Sequence, residues 1–276
     1  MHEIFLANCF VTAQDNSGNP AAVVINFTGD DSDRLAFAKK LGEPVTVFIS
    51  DLSAKEPELK FFYPNFQTTL CIHGTLAAAK FLFSKTNKNA LTCLTHEGEK
   101  LNLIKSEQGY LQLKVSQKKF AELNVKKETV CKMLNLSNSN SLLNDLPFCI
   151  SSVGSQKLLI PLDSLKSLSE LKPNYEYIKT WSEENKINGI YVYTKEPSST
   201  SNFYARGFNP KSGQNEDAAT GVAAGALSLA LKRNIKIEQG NFMGKPCVIV
   251  VEYISADNLL VGGKVSEIQR CDQERI

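Results

Sequence analysis

Two stretches of this chain place residues able to move protons beside sites able to hold an anion. Phe62-Tyr63-Pro64 leads to Cys71-Ile72-His73-Gly74-Thr75, and Phe208-Asn209-Pro210 leads to Glu216-Asp217-Ala218-Ala219-Thr220-Gly221. Each stretch runs straight into a small-residue apolar segment, so His73 and Asp217 fall where extended chain turns into helix. There the unpaired N–H groups and the positive end of the helix dipole favour an anion. Two such ends facing each other would make a site for a small carboxylate, with an acid and a base beside it. The alternative for His73 is a helix-start residue bonded to backbone, and for Asp217 a simple helix cap. The paired Asp217 unit favours the site reading for His73, while for Asp217 capping and substrate contact are compatible.

The elements that position these residues are legible from periodicity and punctuation. Ile4 to Val11 and Ala21 to Ile25 are β-prone and are separated by the turn-forming run Asp15-Asn16-Ser17-Gly18-Asn19-Pro20. Ser32 can cap a helix carrying Leu35, Ala38 and Leu41 on one face, with Gly42 at its stop. Val45 to Ile49, Leu59 to Tyr63 and the alternating Leu111, Leu113 and Val115 read as further strands. Thr75 to Phe83 carries one charge, Lys80, and Ala218 to Leu231 carries none. Helices apolar all round must be buried all round, and both are too short for a bilayer, which takes about 20 apolar residues. Lys126 to Asp145 reads as a connecting helix followed by a Ser/Asn-rich loop. Strands resume at Lys157 to Ile160, Gly189 to Tyr193, Asn202 to Arg206 and Cys247 to Tyr253. The reading is an α/β (α+β) fold of two domains, each wrapping strands around one central helix. Residues 1–118 form the first half, to which 263–276 can return, and 119–262 form the second.

Composition excludes several classes of function. At 276 residues the chain suits two compact domains in contact. A net charge of +2, with scattered Lys and Glu, offers no basic stripe for nucleic acid. The opening Met1-His2-Glu3-Ile4-Phe5 has no apolar run of signal length, and the chain reads as cytoplasmic with no membrane partner. Seven widely spaced cysteines without Cys-x-x-Cys suggest neither a disulfide framework nor a zinc site. The histidines His2, His73 and His96 include no pair at i, i+4, so a metal site is not expected either. Cys71 reads as buried core, because the second stretch has no cysteine at the matching place. Gly18-Asn19-Pro20 reads as a tight turn rather than a phosphate loop, since it precedes a strand and lacks the Walker pattern.

Five segments occur in order across nearly the whole chain: Gly18-Asn19-Pro20-Ala21-Ala22-Val23; Phe62-Tyr63-Pro64 with Leu70-Cys71-Ile72-His73-Gly74-Thr75-Leu76-Ala77; Arg206-Gly207-Phe208-Asn209-Pro210; Glu216-Asp217-Ala218-Ala219-Thr220-Gly221; and Glu238-Gln239-Gly240 with Met243-Gly244-Lys245-Pro246. In these the sequence resembles the phenazine-biosynthesis PhzF-like isomerase family, relatives of diaminopimelate epimerase. The resemblance implies the diaminopimelate-epimerase-like fold, two similar barrel-like halves with a cleft between them, no cofactor and commonly a homodimer. It implies proton transfer on a small carboxylate-bearing metabolite. An imidazole or a buried carboxylic acid beside a helix end can have its pKa moved toward working pH for that task.

His73 and Asp217 match the family's histidine and aspartate. Gly18, Asn19, Pro20, Gly74, Thr75, Thr220, Gly221 and Val222 are the expected substrate-binding positions. For Thr75 and Thr220 the sequence leaves two readings open, a helix cap or a donor to the ligand carboxylate. The chain also departs from the pattern. The family's proton-shuttling glutamate, in a Ser-Glu-Thr-x-Phe pattern, is matched here by Val45 in Pro44-Val45-Thr46-Val47-Phe48. The serine that follows the glycine after Asp-x-x-Thr is matched by Val222, the glycine before His73 by Ile72, and an acidic residue ahead of it by Gln67. Glu43 can share a strand face with Val45, displaced by roughly 6.6 Å, but Pro44 interrupts regular strand geometry there. Surface capping of the preceding helix end is the default reading for Glu43, and a catalytic role the alternative. Two further readings stay open. One is an inactive relative that only binds a small molecule, and the other is a two-thiol racemase, which would need a cysteine opposite Cys71.

Overall fold

The computed structural model describes residues 2–120 and 123–271, and the chain divides into two units, Met1–Lys114 with Gly262–Ile276 and Val115–Val261. The first runs β1 (Glu3–Cys9), β2 (Asn19–Ile25), α1 (Asp31–Leu41), β3 (Thr46–Ile49), β4 (Glu58–Phe62), β5 (Gln67–Thr68), α2 (Ile72–Phe83), β6 (Ala90–Thr95), β7 (Lys100–Lys105) and β8 (Leu111–Val115). The second runs α3 (Lys127–Leu134), β9 (Cys149–Ser151), β10 (Lys157–Pro161), α4 (Leu165–Ser169), α5 (Tyr175–Glu184), β11 (Ile190–Lys195), β12 (Asn202–Asn209), β13 (Gln214–Asp217), α6 (Gly221–Leu231), β14 (Ile235–Gln239), β15 (Cys247–Ser255) and β16 (Asn258–Gly263). A last strand, β17 (Gln269–Cys271), pairs antiparallel with β1.

The two units repeat one pairing scheme. In the first, β1–β2 is antiparallel, β2–β3 parallel, β3–β4 and β4–β5 antiparallel, β4–β6 parallel and β6–β7 antiparallel. In the second, β9–β10, β10–β11, β11–β12, β12–β13, β12–β14 and β14–β15 follow the same order of senses. The strands pack around α2 in one unit and α6 in the other, whose residues are buried nearly throughout. Their apolar composition requires this, because no face of either could be left in water. Both begin a few residues from the sequence expectation, at Ile72 and at Gly221.

Local chemistry sets the ends. Asp30, not Ser32, caps α1: its carboxylate accepts from the amides of Ser32 and Asp33, while Asp33 bonds back to the Asp30 amide. This reciprocal box stabilises the helix by about 1 kcal/mol. Gly42 takes the left-handed conformation at φ 73° and ends the helix as expected. α1 covers a small core of Ile4, Val24, Ala38, Phe48 and Phe62, flanked by Phe27 and Phe37. The second unit's larger core gathers α3, α4 and α5 against β10, β11 and Phe208. No helix among the described residues is long and apolar enough to cross a membrane.

Candidate functional site

In the first unit the chemistry gathers at the start of α2. Cys71 is the N-cap residue and His73 the second residue of the helix, both buried. The Cys71 Sγ lies 3.2 Å from His73 Nδ1, and the Tyr63 hydroxyl points at the same sulfur at 3.5 Å. Cys9 donates its thiol to the His73 carbonyl at 3.0 Å, which ties the helix start to the end of β1. Burial pushes the Cys71 thiol up, but the positive charge of a protonated His73, its hydrogen bond and those from Gly74 N–H and Tyr63 outweigh burial and hold the thiol below its usual range. Cys71 is buried, as its reading as core expects, and it also forms a thiol–imidazole couple with His73. Its two-residue separation from His73 was the available signal.

This couple gives a direct expectation. Thiolate absorbance near 240 nm should appear at lower pH than for an ordinary cysteine, whose reference value is 9.0, and Cys71→Ser should remove that step. A first thiol titration at or above the reference value, unaltered by Cys71→Ser, would show that the couple does not form.

The other first-unit positions lie around it. Gly74 packs so closely on β3 and β4 that a Cβ there would stand 2.8 Å from Val47 and 3.2 Å from Val45 and Phe61. Val45 is fully buried just ahead of β3, so an apolar contact beside Gly74 occupies the position of the family's glutamate. Thr75 donates its hydroxyl to the Cys71 carbonyl at 2.8 Å, within its own helix. Glu43 is half-buried and lies outside β3, which begins at Thr46, so it does not share a strand face with Val45. Gly18 has φ 96° and no room for a Cβ, which would stand 2.7 Å from Val11. That confirms a tight turn, from which Asn19 and Pro20 open β2.

In the second unit Asp217 ends β13 and Thr220 is the N-cap residue of α6. Thr220 donates its hydroxyl to Asp217 Oδ2 at 2.8 Å. Gln239, buried at the end of β14, bonds the Asp217 carbonyl at 2.7 Å, the Thr220 hydroxyl at 3.1 Å and the Thr220 amide at 3.2 Å. Gly207 opposite must lack a side chain, since a Cβ there would stand 2.6 Å from Thr220 Oγ1. One residue before Asp217, Glu216 takes a two-pronged salt bridge from Arg206 at 2.9 and 2.8 Å. Arg206 also donates to the carbonyls of Leu168 and Leu171 and lies over the rings of Phe208 and Phe242. Neighbouring strand residues point to opposite faces, so clamping Glu216 on one face fixes Asp217 on the other. Gly221 and Val222 then open α6, where amides have no partner within the helix.

Lys157 is a buried amine in the same unit, bonded to the Asn188 carbonyl. Burial lowers its pKa from 10.5 to about 8, against the opposing charge of Asp217. Above about 8 the folded protein releases this proton while the unfolded chain keeps it to 10.5, so the Lys157 contribution to stability rises with pH across that window. The unfolding free-energy difference between Lys157→Met and the unmodified protein should therefore change by about 3 kcal/mol between those limits, in favour of the unmodified protein. A constant difference in denaturant titrations would refute it.

The paired scheme corrects the apparent equivalence of His73 and Asp217. Phe61 pairs with Thr68 and Gly207 with Asp217, each partner lying three residues before an N-cap, so Thr68 is the repeat-mate of Asp217. His73 likewise matches Val222, two residues past its cap. Val45 and Gly189 also correspond: their carbonyls accept from Ala22 and Leu158, and each precedes the strand that pairs in parallel with β2 or β10. The two halves thus carry different chemistry at like positions. Among the described residues no group of three or more His, Cys, Asp or Glu could hold a metal ion.

With this geometry in hand, comparison with known proteins is specific. The family described as phenazine biosynthesis-like protein matches residues 9–265. An uncharacterized isomerase of Clostridium acetobutylicum is 31% identical over 266 residues, covering 87% of this chain and 86% of that protein. The crystal structure of a Bacillus anthracis phenazine biosynthesis protein of the PhzF family superposes with a TM-score of 0.83 at 22% identity, covering 99% of each chain. A predicted epimerase from Pseudomonas aeruginosa superposes at 0.78 and 20% identity over 99% of each chain.

Proposed function

Because the chain belongs to the phenazine biosynthesis-like family, we propose that it is a cofactor-independent isomerase or epimerase that moves a proton on a small carboxylate-bearing metabolite. The observation that carries this reading is the hydrogen-bonded acid at the start of α6, Asp217 held by Thr220, together with the thiol–imidazole couple at the buried start of α2. Relatives named isomerases support it.

Asp217 exchanges a proton with the substrate carbon, and the amides of Gly221 and Val222 hold the carboxylate at the positive end of α6. Val45 cannot take a proton, so the first unit's proton carrier is the Cys71–His73 couple, with Tyr63 donating to the sulfur. A thiolate is a competent base at carbon once its pKa approaches working pH. A homodimer is the form expected from the family resemblance, which sedimentation of the purified protein would check, and a cytoplasmic location is the expectation from the opening residues.

A second reading has its own observation. Val45 and Val222 put apolar side chains where the family has polar ones, which suits a protein that binds without turnover. Incubation in D₂O with a panel of small carboxylic acids tests the first reading against the second. Carbon-bound deuterium in one of the acids is expected of the isomerase. Ligand-induced thermal stabilisation with no deuterium, unchanged by Asp217→Asn, would favour the binding protein.

A further inference from the structure

Gln239 lies one strand away from the reacting groups, yet its amide is bonded on both sides by groups whose roles admit one solution. The Thr220 amide can only donate, so the atom 3.2 Å from it is Oε1. The Asp217 carbonyl can only accept, so the atom 2.7 Å from it is Nε2. The second Nε2 hydrogen then goes to Thr220 Oγ1 at 3.1 Å. With that lone pair engaged, the Thr220 hydroxyl has its own hydrogen to give, and it gives it to Asp217 Oδ2. Tyr191 completes the set by donating to Oε1 at 2.9 Å. Burial, with the nearby charges of Asp217 and Cys247, pushes the Tyr191 phenol well up, so it stays a donor at working pH.

We infer that Gln239 is the positioning residue of the second unit's site: its amide directs the Thr220 hydroxyl and thereby holds the Asp217 carboxylate in one orientation. The four hydrogen bonds satisfy every donor and acceptor role of a buried amide, and such a filled network specifies one arrangement of its members. Gly207 keeps the space in which it forms, with the position of a Cβ lying 3.1 Å from Nε2. The place of Gln239 in the reaction rests on Asp217 handling protons as proposed above, but the tether can be read without turnover.

The test uses the full chain labelled with ¹³C at aspartate carboxyls, with the Asp217 resonance assigned by its loss in Asp217→Asn. At fixed pH 8, Gln239→Met and Thr220→Val should each displace the Asp217 Cγ resonance in the same direction. The double variant should shift it by less than the sum, while resonances of Asp145 and Asp163 stay in place. An Asp217 resonance unmoved by Gln239→Met, or single displacements that add in full, would overturn the inference. Because Gln239→Met is a core substitution, a second readout needs no change at Gln239. In the unmodified protein both Gln239 side-chain amide protons should exchange with solvent at least about tenfold more slowly than those of exposed glutamines. Exchange at the exposed rate would overturn the inference equally. Loss of deuterium transfer with the tether intact would count against the proposed function alone.

Discussion

Asp217→Asn is expected to lower carbon-bound deuterium uptake by roughly 10²- to 10⁴-fold, the span attributable to one positioned acid or base. The substitution keeps the shape of the side chain and leaves an amide oxygen to accept the Thr220 hydroxyl now 2.8 Å from Oδ2. The Arg206–Glu216 salt bridge that fixes the strand is also untouched. Stability should therefore change by no more than about 1 kcal/mol. Uptake and melting temperature measured on the same preparation separate loss of chemistry from loss of fold. Unaltered uptake in Asp217→Asn would remove Asp217 from the reaction.

Gly189→Ala should have a large effect on stability for so small a substitution. Gly189 sits at φ 82°, and a Cβ would stand 2.2 Å from the Phe208 carbonyl oxygen and 3.0 Å from the Asn209 Cα, backbone atoms that cannot turn aside. Left-handed strain and a forced shift of β12 each cost about 1 to 3 kcal/mol, which lowers the melting temperature by on the order of 10 °C in a chain of this size. Gly42→Ala is the control, because Gly42 is also left-handed at φ 73° but has nothing within 4 Å of the Cβ position. It should cost only the conformational part, about 1 kcal/mol. Equal melting temperatures for the two variants would refute the collision. The functional consequence concerns the repeat: Gly189 is the mate of Val45, so the second unit has no side chain where the family's first half carries its glutamate.

Much of the fold is legible in the sequence. A helix apolar on every face can only be a central one, and Ala218 to Leu231 carries no charge at all, so α6 and its burial followed from composition. The tight turn at Gly18 and the stop at Gly42 followed from glycine's freedom at positive φ, and both occur. Two things lay outside reach. Gln239 meets Asp217 and Thr220 from 22 and 19 residues away and Tyr191 from 48, and no local pattern encodes such pairing. The non-equivalence of His73 and Asp217 needed strand register, since motif spacing alone made them look alike. For Glu43 the sequence already carried the warning: Pro44 put a strand face shared with Val45 in doubt, and the strand begins at Thr46. Helix α5 was missed although Tyr175, Ile178 and Trp181 recur on one face, because Asn174 supplies its cap without a flanking glycine to mark it.

The central claim is that the protein moves a proton on carbon in a small acid, with Asp217 and the Cys71–His73 couple as its carriers. The most direct measurement is the position of solvent deuterium by NMR after incubation of the unmodified protein with small carboxylic acids in D₂O. The predicted result is deuterium on a carbon conjugated with or adjacent to the carboxylate of one acid, lost in Asp217→Asn and strongly reduced in Cys71→Ala. Binding of an acid, seen as a raised melting temperature, without deuterium on any of its carbons would contradict it.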